Sequence, residues 1–179
     1  MRCELIGLLQ LIFNKLLIKY DISIVDRGRN LYITIPQVYL RIFLAYLRYG
    51  SLCFGTELRD ITVISQNNNN KLIYIFYMPK WGVRLFLIVN SKCYKFIATA
   101  SEFFNGAEWP ERECSEMFGV QFVEKIDNRK LMLDYNFEGY PLLKKFPVSG
   151  YEELEYDVFL HSISYVSVQI RDNYTKWYF

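Results

Sequence analysis

The 179-residue sequence predicts an α+β fold: a small, mostly antiparallel sheet with helices on one face, followed by a helix and an extended C-terminal arm. Two observations support this prediction. Aromatic residues make up 18% of the chain and only four residues are alanine, which favours strands over helices. Between residues 21 and 90, short apolar runs alternate with turn residues and one helical pattern, which is typical of a helix-on-sheet arrangement.

The chain begins with an apolar stretch that predicts a helix over residues 4–19, lying on a core or a partner. Its uncharged run, from Leu5 to Asn14, is too short to span a membrane. No small-residue cleavage site follows it, so we predict neither a signal peptide nor a transmembrane segment.

The first hundred residues predict one domain with the order β-β-α-β-β-β. A hairpin is expected over residues 21–35, and Pro36 then opens a helix that Gly50 ends after Tyr49. Leu40, Phe43, Leu44 and Leu47 form the apolar stripe of this helix. Three further strands are expected at residues 61–64, 72–78 and 83–89.

Residues 101–157 form a second region, in which a helix is predicted from Trp109 to Phe118 with Pro110 in its first turn and Gly119 after its end. Residues 120–157 show little periodicity but carry seven aromatic side chains. We expect an extended arm laid over another protein, the alternative being a flap folded onto the chain's own sheet. Residues 158–179 form a tail without a predicted role.

Charge is divided unevenly along the chain. The first hundred residues carry 13 Lys and Arg against 5 Asp and Glu, a net +8, whereas the remainder carries a net −6. This division indicates either two different neighbours, one for each half, or a protein that pairs its own halves or exposes two differently charged faces to solvent.

Several kinds of chemistry are disfavoured by what the sequence contains. The four cysteines form no C-x-x-C pair, and His161 is the only histidine, so neither a structural metal site nor a histidine-dependent nucleophile is expected. The basic, aromatic front half leaves a nucleic-acid-binding module as an alternative. Glu113 and Glu116 leave a small carboxylate enzyme as another.

Glu113 lies four residues after Trp109 and four before Met117, so it shares a helix side with two large apolar residues. A carboxylate buried there would need a cation or several hydrogen-bond donors. The candidate cations are Arg129, Lys130, Lys144 and Lys145. Glu108 and Arg112 have the spacing of a weak intrahelical pair.

These residues also form a recognisable motif. The run Glu111-Arg112-Glu113-x-x-Glu116-Met117-Phe118-Gly119, followed by Lys125, Arg129, Leu131 and Met132, resembles the 30-kDa core subunit family of respiratory complex I. The run from Asp134 to Tyr151 resembles the arm of the same family. Residues 15–100 match only in the order of elements, and the tail after Asp157 has no clear counterpart. The sequence departs from the family pattern at Pro110, Glu116, Lys125, Tyr140, Leu143 and Lys145.

The resemblance implies a non-catalytic scaffold in the peripheral arm of complex I, the proton-translocating NADH:ubiquinone oxidoreductase. Such a subunit packs beside the 49-kDa subunit, near the terminal iron–sulfur cluster and the quinone site, and touches other hydrophilic-arm subunits. FMN, iron–sulfur clusters and quinone are expected in neighbouring subunits and no cofactor in this one. The expected location is the matrix face of the mitochondrial inner membrane, a plastid or bacterial source being the alternative.

The resemblance also implies which residues form the partner interface, and it implies neither nucleic acid nor a membrane span. The expected interface residues are Trp109, Glu111, Arg112, Glu113, Glu116, Phe118, Lys125, Arg129, Asp134, Tyr135, Phe137, Tyr140, Pro141, Lys144, Phe146 and Tyr151.

Overall fold

The computed structural model describes residues 23–66, 69–92 and 96–168, and these form two separate units divided after Phe137. The predicted helix over residues 4–19 lies outside the described residues. Neither α-helix in the described part of the chain is long and apolar enough to cross a bilayer.

The first unit is built on a five-stranded sheet with the spatial order β1-β2-β5-β4-β3. Neighbouring strands are antiparallel except β2 and β5, which run parallel and are joined by a crossover through a helix and two strands. The strands are β1 (Ser23–Arg27), β2 (Asn30–Pro36), β3 (Glu57–Gln66), β4 (Asn69–Met78) and β5 (Val83–Lys92).

One face of the sheet contributes its side chains to the hydrophobic core. Side chains alternate in and out along each strand, so that Leu31, Ile33 and Ile35 of β2 are almost fully buried. Helix α1 (Leu40–Tyr49), preceded by a 3-10 turn, adds the four residues of its predicted apolar stripe to the same core. The stripe is therefore confirmed as the core-facing side of this helix.

The segment after the sheet joins the same core. Strand β6 (Ile97–Ala98) pairs in parallel with β7 (Phe122–Val123), and helix α2 (Glu108–Phe118) lies between them in sequence. Gly119 ends α2 in the left-handed conformation, as its position predicts. The hydrophobic residues that this segment adds to the core are Ile97, Ala100, Phe104, Ala107, Cys114, Val120 and Phe122.

The second unit is described from residue 138 to residue 168. It begins with consecutive turns and ends in an antiparallel hairpin of β8 (Glu152–Asp157) and β9 (Ser162–Ser167). Strand β8 occupies the last six residues of the predicted arm. The hairpin therefore begins before residue 158, where the sequence predicts the start of a separate tail.

The α+β class with a mostly antiparallel sheet is confirmed. The strands are longer than predicted, since β3 begins at Glu57 and β5 extends to Lys92. The parallel β2–β5 pair has no signature in the sequence, because the apolar alternation of a strand does not encode which neighbour it chooses.

Candidate functional site

The candidate site is centred on helix α2 and on residues 124–137, which follow it. Glu111 is fully buried, and both of its carboxylate oxygens have partners. The Thr99 hydroxyl and the Ala100 backbone N–H each donate to it at 2.6 Å. Burial raises the pKa of Glu111, against the opposing effects of these hydrogen bonds and of Lys125.

Lys125 supplies the cation nearest to this carboxylate. Its Nζ lies 3.9 Å from Glu111 Oε2 and donates to the backbone carbonyl of Glu108 at 3.0 Å. It also lies 5.5 Å from the centre of the Phe122 ring. Burial lowers the pKa of Lys125, although the charge of Glu111 opposes this effect. Through these contacts Lys125 connects the start of α2 to the chain that follows β7.

Glu116 holds the chain that follows. Its carboxylate accepts hydrogen bonds from the backbone N–H groups of Leu131, Met132 and Leu133, the last two at 2.9 and 3.1 Å. Burial alone would raise the pKa of Glu116, but these three hydrogen bonds and the charge of Arg112 outweigh it, and the pKa is lowered. This carboxylate therefore works as an ionised acceptor for backbone donors.

Arg112, one helical turn before Glu116, holds the opposite kind of backbone group. Its guanidinium donates to the carbonyl oxygens of Arg129 and Lys130 at 2.9 and 3.2 Å and lies 3.6 Å from Asp127. Arg112 thus binds carbonyl oxygens and Glu116 binds N–H groups of the same backbone segment, residues 129–133. We call Arg112 and Glu116 the helix clamp.

Two further cations shape the segment that the helix clamp holds. Arg129 pairs with Asp127 through several hydrogen bonds, the shortest 2.8 Å, and the Lys130 ammonium donates to the carbonyls of Asp134 and Phe137. The hydrogen bond from Arg129 is the largest effect holding the pKa of Asp127 far below its ordinary range. Charge-assisted hydrogen bonds therefore connect residues 127–137 with one another.

The outer surface of this region includes several large apolar side chains. Trp109 is 65% exposed, Tyr135 is 74% exposed, and Ile126 and Met132 are also exposed. Lys125 donates to the Glu108 carbonyl and Arg112 donates to the Arg129 carbonyl, which places the segment beside α2. Large apolar side chains are thus exposed here beside charged ones such as Arg129 and Asp134, as in a surface that binds a protein.

Predicted interface residues also occur in the second unit. The rings of Phe146 and Tyr151 meet edge to face with centroids 5.3 Å apart, and Tyr151 is 64% exposed. Gly139 has φ +104°, and a Cβ built there would lie 2.7 Å from the Phe146 ring. Tyr140 and Pro141 are half-buried, and Lys144 is exposed.

The environment predicted for Glu113 is wrong in one respect. Glu113 does share a side with Trp109, but both are exposed, so this carboxylate needs no buried cation. The carboxylate that does need one is Glu111, and Lys125 supplies it rather than any of the four cations proposed from sequence.

The structure gives the expected interface residues two kinds of environment. Glu111, Arg112, Glu116 and Lys125 are buried and bonded within the first unit, and Phe118 is packed against its core. Trp109, Glu113, Arg129, Asp134 and Tyr135 are exposed, whereas Phe137 is half-buried. Sequence reasoning missed Thr99 and Asp127, although the Asp127-x-Arg129 spacing was a usable sign of a local pair.

The comparisons with known proteins concern most of the chain. The family model described as "Respiratory-chain NADH dehydrogenase, 30 Kd subunit" matches residues 33–152. The NADH-ubiquinone oxidoreductase subunit 9 of Acanthamoeba castellanii is 31% identical over 86% of this chain and 80% of its own length. A subunit of the NADH-quinone oxidoreductase of Brucella ovis is 32% identical over 84% of this chain and 76% of its own length.

Two solved structures share the fold. One is described as the trypsin-resistant fragment (1-134) of Nqo5. It has a TM-score of 0.55 and 23% identity, and the match covers 71% of this chain and 99% of that one. The other is the membrane-bound sulfane sulfur reductase, an archaeal respiratory membrane complex, with a TM-score of 0.57, 21% identity and coverage of 72% and 74%.

Proposed function

Because the chain belongs to the family of the 30-kDa subunit of respiratory-chain NADH dehydrogenase, or complex I, we propose that it is a non-catalytic scaffold of the peripheral arm. In this role it supports electron transfer from NADH to ubiquinone by holding neighbouring subunits in place. The observation that best supports this role is the helix clamp, which uses charged residues to shape a segment that exposes the large apolar side chains of Met132 and Tyr135.

The partner we propose for this apolar surface is the 49-kDa subunit, near the terminal iron–sulfur cluster and the quinone site, with other hydrophilic-arm subunits nearby. FMN, the iron–sulfur clusters and quinone would be held by these neighbours. The residues proposed to meet the partner are the exposed ones, led by Trp109 and Tyr135, since large aromatic side chains often anchor interfaces. The exposed residues are held in position by four buried charged ones, Glu111, Arg112, Glu116 and Lys125.

We further propose the matrix face of the mitochondrial inner membrane as the location. The similarity to a subunit of an NADH-ubiquinone oxidoreductase from Acanthamoeba castellanii supports this choice. A chain found in a plastid or bacterial membrane fraction instead would change the location but leave the scaffold role intact.

Replacing Trp109 with Ala tests the scaffold role. The side chain is 65% exposed, so the free chain should keep its unfolding temperature, whereas association with the complex should fall on the order of tenfold. Native gel electrophoresis, read by NADH dehydrogenase activity and by the amount of this chain in the complex band, measures the effect.

The matched control is Phe54→Ala, which removes another aromatic side chain that is 78% exposed. Assembly should be close to normal in this variant. Normal levels of complex with Trp109→Ala would contradict the proposed interface, and a wild-type chain that migrates only as a free monomer would contradict the scaffold role.

A further inference from the structure

The hairpin of β8 and β9 has two chemically different faces. Its register places Leu154 opposite Tyr165 and Tyr156 opposite Ile163, and side chains opposite one another share a face. All four are exposed, by 56 to 70%. An apolar patch of this kind on a strand pair marks a surface that another molecule covers.

The turn of the hairpin is held in one shape and is also apolar. The Asp157 carboxylate accepts hydrogen bonds from the backbone N–H groups of Phe159 and Leu160 at 2.8 and 3.3 Å, and His161 completes the turn with φ +48°. Phe159 is 95% exposed, and Val158 and Leu160 are exposed as well. The apolar surface therefore continues around the tip.

The other face is acidic. Glu153, Glu155 and Asp157 lie along it, whereas Glu152, at the start of β8, lies on the same side as Leu154 and Tyr156. No lysine or arginine occurs between Lys145 and Arg171. This charge repels nucleic acid and anionic lipid headgroups, and it would repel the same hairpin of a second copy.

We propose that the hairpin docks into an apolar groove, bordered by lysine and arginine side chains, on a neighbouring protein subunit of the same assembly. This inference rests on the proposed function, which supplies the assembly. A two-stranded hairpin alone is at best marginally stable in water, and packing against a further layer completes it. The apolar face gives the contact its area, and the carboxylates of β8 select a basic partner surface.

Site-specific photo-crosslinking within the assembled complex identifies what covers the hairpin. The full chain carries p-benzoylphenylalanine in place of Phe159, and a matched chain carries it in place of Glu155 on the acidic face. We expect the probe at residue 159 to attach to a peptide of one other complex I subunit that contains both apolar and basic residues. Attachment mainly to lipid, or to a second copy of this chain, would overturn the proposal.

Paired substitutions then measure the contribution of each face. Leu154→Ser with Tyr165→Ser should reduce association with the complex on the order of tenfold, while Ser162→Ala with Ser164→Ala on the opposite face should leave it unchanged. Glu153→Gln with Glu155→Gln should weaken the dependence of association on salt concentration. Hydrogen exchange of the first unit serves as a check that each variant is folded.

The failure of this inference can be told apart from failure of the scaffold role. If the wild-type chain does not migrate with NADH dehydrogenase activity, the proposed function fails. If the wild-type chain does so and the Leu154/Tyr165 variant assembles as well as the serine control, only the hairpin proposal is overturned.

Discussion

Glu116 is a carboxylate whose partners are mainly backbone N–H groups, three of which donate to it. Glu116→Gln removes the charge and turns an amide donor toward these N–H groups. We expect the free energy of unfolding to fall by about 2 kcal/mol, since an unsatisfied buried donor costs this order of energy. Urea denaturation of the full chain measures it.

The control for this variant is Glu113→Gln, which changes an exposed carboxylate on the same helix. Its effect should stay within about 0.5 kcal/mol. Equal losses in the two variants would show that the helix clamp does not stabilise the fold through Glu116.

The same carboxylate predicts a dependence on pH. Because folding lowers the pKa of Glu116 below its ordinary value of 4.5, the stabilisation is fully present above that pH and is lost as the pH falls through the folded-state value. The difference in unfolding free energy between wild type and Glu116→Gln should therefore shrink on acidification below pH 4.5.

Glu111 and Lys125 form a buried pair, so their substitutions should not be additive. Lys125→Met leaves Glu111 without its cation and should cost about 3 to 5 kcal/mol. Adding Glu111→Gln keeps an acceptor for Thr99 and Ala100 and should recover part of this loss. A double-mutant cycle by urea denaturation checks the coupling.

Lys71→Met, which removes an exposed ammonium from the sheet, provides the control and should change stability little. If the costs of Glu111→Gln and Lys125→Met simply add, the two side chains are not coupled and the pairing is refuted.

At the scale of elements, Gly139 fixes the start of the second unit. Its φ of +104° suits glycine, and a Cβ there would meet the Phe146 ring at 2.7 Å. Gly139→Ala should therefore displace Phe146 from its contact with Tyr151 and increase hydrogen exchange over residues 139–151, without changing exchange in the sheet. Mass spectrometry of exchanged peptides measures both.

Gly106→Ala is the matched control, because a Cβ at that position meets nothing within 4 Å. Exchange should remain that of the wild type in this variant. Unchanged exchange in Gly139→Ala as well would show that the close approach to Phe146 does not hold the turns in place.

The elements also show how far sequence reasoning reaches. The stripe of α1 and the end of α2 at Gly119 were predictable, because both follow from spacing within a few residues. The pairing of β2 with β5 was not, since it depends on contacts more than fifty residues apart. The depth of Glu111 was hidden because its partners Thr99 and Lys125 lie outside α2, where spacing within the helix gives no information about them.

At the scale of the whole molecule, the division after Phe137 predicts where the free chain is cut by a protease. Lys144 and Lys145 are exposed and lie in turns of the second unit, whereas Arg59 and Arg84 lie in strands of the sheet. Limited trypsin digestion should therefore cut after residue 144 or 145 well before it cuts within the sheet.

The same digestion distinguishes a free chain from an assembled one. If the turns around Lys144 lie against a partner subunit, as the place of Lys144 among the expected interface residues predicts, these bonds should be cut much more slowly within the complex. The double variant Lys144→Gln with Lys145→Gln lacks both cleavage sites. The fragment assigned to cleavage after these residues should therefore be missing from its mass spectrum. Equal cleavage rates in the free chain and in the complex would mean that no neighbour covers this part of the chain, and the interface would then be confined to the first unit and the hairpin.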